Sequence, residues 1–316
     1  MTYTWSHLSA ADAPKWAELT EVLARHDDTD EIYSAEDLAE ELQEHGFDPA
    51  QDSWAVRDGD ALVAYGQLRV SHALTAEGWT RASVDGGVHP NWRDRGLGTE
   101  LLTRMEPRAR VLALERHPGA PVQFRAAGGK EGSDARSLLE YHGYRALRWF
   151  TDMRRDLPGT PIATIDARTE PLAPELAEVV RLAHNDAFAT HWGSTARSPQ
   201  QWADFLGSRS TRAADSRVLR DDDGSVLAYT ITGQWVDREL YVNLVGTRQS
   251  ARGHGLGRAV LEATIAAAAD SGRYDLVELG VDSDNPSGAG RLYASVGFTP
   301  IRTAAAYAKV EEYGAA

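Results

Sequence analysis

Two short stretches carry residues whose types and spacing suit the binding of a diphosphate. The first reads Val88-His-Pro-Asn-Trp-Arg93-Asp94-Arg95-Gly96-Leu97-Gly98-Thr99. The second reads Val245-Gly246-Thr247-Arg-Gln-Ser-Ala-Arg252-Gly253-His254-Gly255-Leu256-Gly257-Arg258. In each, an apolar strand-like run leads into Arg-x-x-Gly-x-Gly, and a helix-forming segment then begins without a proline break. The first turn of a helix has N–H groups with no intrahelical partner and carries the positive end of the macrodipole. Gly96, Gly98, Gly255 and Gly257 let a phosphate approach that backbone without a Cβ in the way. Arg93 and Arg252 add a charged fork.

Two common phosphate loops do not fit. Neither copy has the Gly-Lys-Ser/Thr of a P-loop. The Rossmann fingerprint fails because Gly96-Leu-Gly98 continues as Thr-Glu-Leu and Gly255-Leu-Gly257 as Arg-Ala-Val. Arg-x-x-Gly-x-Gly resembles the pyrophosphate-binding signature of the GNAT superfamily of acetyl-CoA-dependent N-acyltransferases. Two copies in equivalent context make chance a poor explanation.

The resemblance implies acetyl-CoA as co-substrate and no metal. It assigns the two glycine-loop stretches, Val88 and Arg93 to Thr99 in one and Val245 to Thr247 with Arg252 to Arg258 in the other, to the cofactor. His254 would touch phosphate or water. In the family, the helix after the fifth strand often carries Asn and, eight positions on, Tyr, followed by Gly-Phe. Asn285, Tyr293 and Gly297-Phe298 match in full, which adds Asn285 to the cofactor contacts. Aligning Gly143-Tyr144 with Gly297-Phe298 sets Glu131 opposite Asn285 and Leu139 opposite Tyr293, so the earlier copy lacks the tyrosine.

That tyrosine has a chemical use. A phenol of pKa ~10 stays protonated at neutral pH and can protonate a departing thiolate whose thiol has pKa ~8.5. Leucine can do neither. The nucleophile is then the acceptor amine, which needs a base because alkylamines are mostly protonated at pH 7. Glu239, at the start of the strand before the second loop, is the expected base, with Asp237 as the alternate. Backbone N–H groups where this strand bulges, near Val245 to Thr247, are the family-like oxyanion donors. His191, Trp192 and Trp235 are candidates to line the acceptor pocket, against an equal case for core packing or a surface loop.

The elements that must position these residues repeat in order. Helical spacing or capping signals cover residues 12–24 and 34–45, strands 54–56 and 61–70 flank the Arg57-Asp-Gly-Asp turn, and a strand at 79–88 delivers the chain to the first loop. A helix at 98–114, a strand at 122–126, a helix at 133–141 and a strand at 150–155 follow. The second series has helices at 174–189 and from 198, strands at 217–220, 226–234 and 239–246, a helix at 257–269 and a strand at 276–281. A helix opened by Asn285-Pro286 and a last strand at 307–310 complete it. The fold class expected is α/β (α+β), two tandem GNAT-like domains, each a mixed, mostly antiparallel sheet flanked by helices. Domain boundaries are expected at 1–155 and 164–316, joined by the Pro- and Gly-containing linker 156–163.

Composition bounds the rest. The 316 residues suit two domains, and Gly96 and Gly255 lie about half a chain apart, as duplication would give. Cysteine is absent, which removes disulfides, a thiolate nucleophile and any Cys-based metal site. A net charge of −14 speaks against a general nucleic-acid binder and allows a cationic substrate, although solubility alone accounts for it. Without a targeting segment or a long apolar run, the expectation is a cytoplasmic protein, not membrane-bound, monomeric or homodimeric. The function expected is direct acetyl transfer to a primary amine of a small molecule in the C-terminal domain. The two-domain arrangement resembles mycothiol synthase-like members of the superfamily, which act on a cysteinyl amine. A non-catalytic acyl-CoA sensor or scaffold, or a protein-lysine acetyltransferase, are the alternatives.

Overall fold

The structure is a computed structural model that describes residues 2–29, 31–162, 164–191, 194–284 and 288–312. Two compact units account for it, residues 1–148 with 304–316, and residues 149–303. Each is a mostly antiparallel sheet flanked by helices.

In the first unit, β1 (Thr4–Ser6), β2 (Ser53–Asp58), β3 (Ala61–Val70) and β4 (Thr80–Val88) pair antiparallel in sequence order. β5 (Val122–Ala127) then joins parallel to β4. Trp16, Leu19 and Ala24 recur at helical spacing on α1 (Ala13–Asp27) and are buried, while the capping box Ser34–Asp37 starts α2 (Ala35–Glu41). After the short α3 (Pro49–Asp52), the long α4 (Leu97–Arg116) supplies Leu101, Leu102, Met105 and Ala109 to a core shared with Val84 and Phe124. α4 contains Pro107, so the proline-free start seen in the sequence holds only for its first turns. α5 (Asp134–Tyr141) completes this unit's helices.

β6 (Arg145–Asp156) leads into the second unit, whose sheet runs β6-β11-β10-β9-β8-β7. Its strands are β7 (Thr169–Pro171), β8 (Arg217–Arg220), β9 (Val226–Gly233), β10 (Glu239–Thr247) and β11 (Leu276–Asp282). α6 (Ala177–Ala187), α7 (Pro199–Gly207), α8 (Leu256–Ser271) and α9 (Ala289–Ser295) flank it. Leu240, Val242, Val277 and Leu279 alternate along β10 and β11 and pack with Leu261 and Ile265 of α8. His184 is buried beneath Trp202, and its Nδ1 lies 2.7 Å from the Tyr229 hydroxyl.

The last strand of each half differs from the sequence expectation. Residues 150–155, expected to close the first sheet, pair antiparallel with β11 in the second unit, with Arg155 opposite Val277 and Thr151 opposite Val281. The last strand, β12 (Thr299–Glu311), places Tyr307 opposite Ala126 and Val310 opposite Gln123 on β5 of the first unit. The units therefore divide at 148/149 and 303/304 rather than within 156–163. Strand pairing is set by which edge is open, not by proximity in sequence, and alternation alone carries no record of the partner. The exchange is anchored by Glu106 on α4, which accepts from Tyr144 Oη at 3.1 Å, Arg110 at 2.9 Å and Lys309 of β12 at 2.5 Å. Among the described residues no helix is long and apolar enough to cross a membrane.

Candidate active site

The two glycine loops adopt the same backbone. Gly96 (φ 79°) and Gly255 (φ 76°) are left-handed N-caps of α4 and α8, and a Cβ on either would point into open space. The first-turn N–H groups of both helices are thus left open to an anion, as diphosphate binding requires. The second glycine of each motif does something else. A Cβ at Gly98 would sit 2.8 Å from Leu138 and one at Gly257 3.0 Å from Thr247 Oγ1, so these glycines permit close packing rather than phosphate approach. Gly246 likewise makes room for the Tyr229 ring, whose atoms would lie 2.3–2.6 Å from its Cβ. Leu97 and Leu256 are buried core residues beneath the loops.

The arginines differ between units. Arg93 is a closed fork: it donates to both oxygens of Asp27 at 2.8 and 2.6 Å, to Asp134 at 3.1 Å and to the Val88 carbonyl at 3.1 Å. Asp94 is left-handed (φ 58°), Arg95 donates to the Asn91 carbonyl at 2.8 Å, and Thr99 Oγ1 lies 3.4 Å from His142. In the second unit Arg252 donates to the Ala187 carbonyl at 2.7 Å, and among the described residues no carboxylate pairs with it. His254 Nδ1 lies 3.4 Å from the Ala251 carbonyl of its own loop, and Gly253 (φ 80°) faces open space. Arg258 turns away to Ser295 and to Glu262, at 3.5 Å.

β10 is bulged and β4 is not. The β10–β9 register shifts between Val242 and Leu244, placing the bulge at Asn243, whereas Val245, Gly246 and Thr247 pair regularly with Thr230, Tyr229 and Ala228. The expected oxyanion donors near 245–247 thus lie in a regular ladder, and the bulge falls earlier. β10 and β11 pair only from Glu239–Leu276 to Tyr241–Glu278 and then part. β4 keeps an unbroken register from Val88–Ala64 to Ala82–Val70.

The face of this fork away from α8 is polar. Glu239 hydrogen-bonds Glu278, which accepts from Arg154 Nε at 2.8 Å. Burial is the main cause that raises the Glu239 carboxyl above its ordinary value. Burial, reinforced by Glu239, pushes Glu278 from 4.5 up to about 7, and Arg154 only partly offsets this. Trp235 packs edge-on against Tyr241 at 6.0 Å, and the Tyr241 hydroxyl and Asp152 both lie beside Gly280. Asp152, itself raised by burial, accepts from Arg302 at 2.6 Å. Glu278, Tyr241 and Asp152 were not anticipated. The alternation Val277-Glu278-Leu279-Gly280-Val281-Asp282 was the available signal for the first; nothing local marked residue 152, whose strand crosses from the other unit's half of the chain.

Tyr293 lies on α9 and is 8% exposed, 6.2 Å from the Phe298 ring, with its hydroxyl pushed up to about 12 by burial. Its counterpart is fixed by geometry: Phe298 N donates to the Tyr293 carbonyl at 3.1 Å, and Tyr144 N to the Leu139 carbonyl at 3.0 Å, each past a left-handed glycine. Leu139 therefore stands where Tyr293 stands. The His191 ring lies 5.3 Å from that of Phe188, tilted by 55°, just past the end of α6. Asn285 and Trp192 lie outside the described residues.

A linkage test follows from Glu278. Its folded value lies above its unfolded one, so between about pH 4.5 and 7 the folded state holds more protons and this group's stabilisation fades as pH rises. In Glu278→Gln, urea titrations across that range should show a flatter loss of stability with rising pH than wild type. An identical slope would remove Glu278 as the titrating group.

The chain belongs to the acetyltransferase (GNAT) family, whose model matches residues 16–119 and 178–298, and it is an N-acetyltransferase built of two such regions in tandem. The family's acyl donor, acetyl-CoA, fits the open helix N-termini. Curated relatives include the mycothiol acetyltransferase of Actinosynnema mirum, 29% identical over 96% of this chain and 98% of that protein. That of Nocardiopsis dassonvillei is 32% identical over 70% and 72%. Among solved structures, a GCN5-related N-acetyltransferase from Sphaerobacter thermophilus matches with TM-score 0.78 at 23% identity, covering 99% of this chain and 97% of that one. A tandem GNAT protein from the clavulanic acid biosynthesis pathway matches with TM-score 0.70 at 19% identity, covering 98% of each. Both likenesses concern the fold.

Proposed function

We propose that the second unit transfers acetyl from acetyl-CoA directly to a primary amine of a small molecule, and that the first unit is not a site of transfer. The observation that carries this is the register of the two forks. Counting rungs from the Tyr65–Gly87 and Tyr229–Gly246 pairs, Arg81, Ser83 and Arg125 of the first unit occupy the positions of Glu239, Tyr241 and Glu278 of the second. One fork carries cations where the other carries carboxylates. An arginine pair repels an alkylammonium and cannot take its proton; a carboxylate pair attracts it and can.

Acetyl-CoA supplies an activated acyl group and a thiolate leaving group. The open first turn of α8 binds its diphosphate, with Arg252 shaping the loop. Glu239 hydrogen-bonds Glu278, and with Glu278 raised to about 7 the pair accepts the amine proton at working pH. Tyr293, protonated at that pH, donates to the departing sulfur. Trp235 and Tyr241 give the acceptor an aromatic wall beside these acids. The relatives named mycothiol acetyltransferase put a cysteinyl amine first among acceptors to try.

The test is CoA formation from acetyl-CoA across cysteinyl pseudodisaccharides, amino acids, polyamines and aminoglycosides, with products of thiol acceptors read by mass spectrometry. One amine class should turn over, and the acidic limb of its kcat/KM profile, near pH 7, should be displaced in Glu278→Gln and Glu239→Gln. CoA binding without turnover of any amine would favour a sensor, and turnover of protein lysines alone would reassign the acceptor.

A further inference from the structure

The first unit contains a cavity of about 140 Å³ that the acetyl-transfer chemistry does not use. Three carboxylates, Glu31, Glu41 and Asp85, and three aromatic side chains, Trp16, Tyr33 and Tyr65, line it. Trp16 is fully buried, its ring 5.4 Å from that of Tyr65, and among the described residues its indole Nε1 has no hydrogen-bond partner. An unmade hydrogen bond on a buried donor is costly, and nearly all such groups are satisfied. Gln67, 3% exposed, spends its amide on two acids at once, donating to Glu41 Oε1 and Asp85 Oδ2 at 3.1 Å each. Arg69 pairs with Glu41 at 3.0 Å but also with Glu44 at 2.6 Å.

The fold does not require this polarity. Gln67 and Asp85 are paired two rungs along from Tyr65–Gly87, and the equivalent rung of the second unit, two along from Tyr229–Gly246, holds Ile231 and Leu244. An aliphatic pair fills the position there.

We propose that this cavity binds a small organic ammonium ion that also carries an oxygen acceptor. Carboxylates and aromatic faces together form the environment a desolvated cation needs, and the Trp16 indole N–H can donate to the ligand's oxygen. At ~30 Å³ per water-sized group, the volume holds about four or five non-hydrogen atoms. The ionisation of Glu41 fits this. Burial pushes its carboxyl up to about 7, Asp85 and Glu44 push the same way, and Arg69 and the Gln67 bond only partly oppose them, so a further positive charge beside it is favoured.

The test titrates the full-length, ¹⁵N-labelled protein with ethanolamine and follows the Trp16 indole resonance, assigned with Trp16→Phe. The resonance should shift saturably, and Glu41→Gln or Asp85→Asn should weaken binding by about tenfold while Tyr293→Phe binds as wild type does. Neutral 1-propanol on the wild type should give no saturable shift, which keeps the test independent of variant folding. An equal response to propanol, no saturable shift with ethanolamine, or full affinity in both acid variants overturns the proposal. Ethylammonium, which lacks the oxygen, should bind more weakly; equal binding overturns the indole contact.

Discussion

Tyr293→Phe should lower the turnover of acetyl transfer by about 10²–10⁴-fold, the usual contribution of a positioned acid or base, while acetyl-CoA affinity stays nearly unchanged. The phenol sits at the end of α9 in the core that α8 and β11 share, so the phenyl ring keeps the packing and only the hydroxyl is lost. Stability should move by no more than ~1 kcal/mol, the net worth of an ordinary hydrogen bond. Its raised pKa means the group is protonated throughout the working range, so the variant's deficit should persist across neutral pH rather than appear on one limb. Calorimetric titration with CoA and single-turnover kinetics separate binding from chemistry. Wild-type turnover in the variant would remove Tyr293 as the acid, and a matching loss of CoA affinity would make it a binding residue instead.

Gly255→Val should reduce acetyl-CoA affinity and turnover by at least about tenfold, while Gly96→Val leaves turnover intact. Both positions are left-handed, and a β-branched residue there is strained by roughly 1–2 kcal/mol. The two variants should therefore lose comparable stability. They differ in what the new side chain obstructs. At Gly255 it enters the space over the first turn of α8, beside an arginine that donates to a peptide carbonyl. At Gly96 it enters the space beside Arg93, which is already satisfied by Asp27 and Asp134, carboxylates that repel an arriving phosphate. Paired melting curves and kcat/KM for acetyl-CoA decide this. Equal loss of turnover in Gly96→Val would mean that the first loop serves the reaction and that the division of labour proposed here is wrong.

The parts of this arrangement that are local were legible in the sequence. Arg-x-x-Gly-x-Gly before a helix identified both loops, and the capping boxes at Ser34 and Ser198 marked helices that the structure contains. The Leu139–Tyr293 correspondence was readable because a glycine terminates both helices at the same distance. Glycines that permit packing, such as Gly98, Gly257 and Gly246, look the same in sequence as those that face a ligand, because only the neighbour that a Cβ would strike tells them apart. The Asn243 bulge was expected a few residues late, since one inserted residue on a strand leaves the hydrophobic alternation almost undisturbed. Glu239 was visible as the carboxylate that opens a strand, but Glu278 acquires its meaning only from the parallel rung that sets it beside Tyr241. Arg81 and Arg125 passed unnoticed because the comparison with the second fork depends on register, not on residue spacing.

The crossing of β6 and β12 also sets an order of events during synthesis. β5 is complete at Ala127, yet its outer edge is paired by residues 306–311. At about 5–20 residues per second, translation leaves that edge open for on the order of ten seconds or longer, with Lys309 and Glu311 still unmade while Glu106 and Arg110 are already in place. Residues 149–156, by contrast, emerge before the sheet they will join. The half of the protein that is made first is thus the half that is finished last, and a nascent chain must shield an unpaired strand edge until its own final segment arrives.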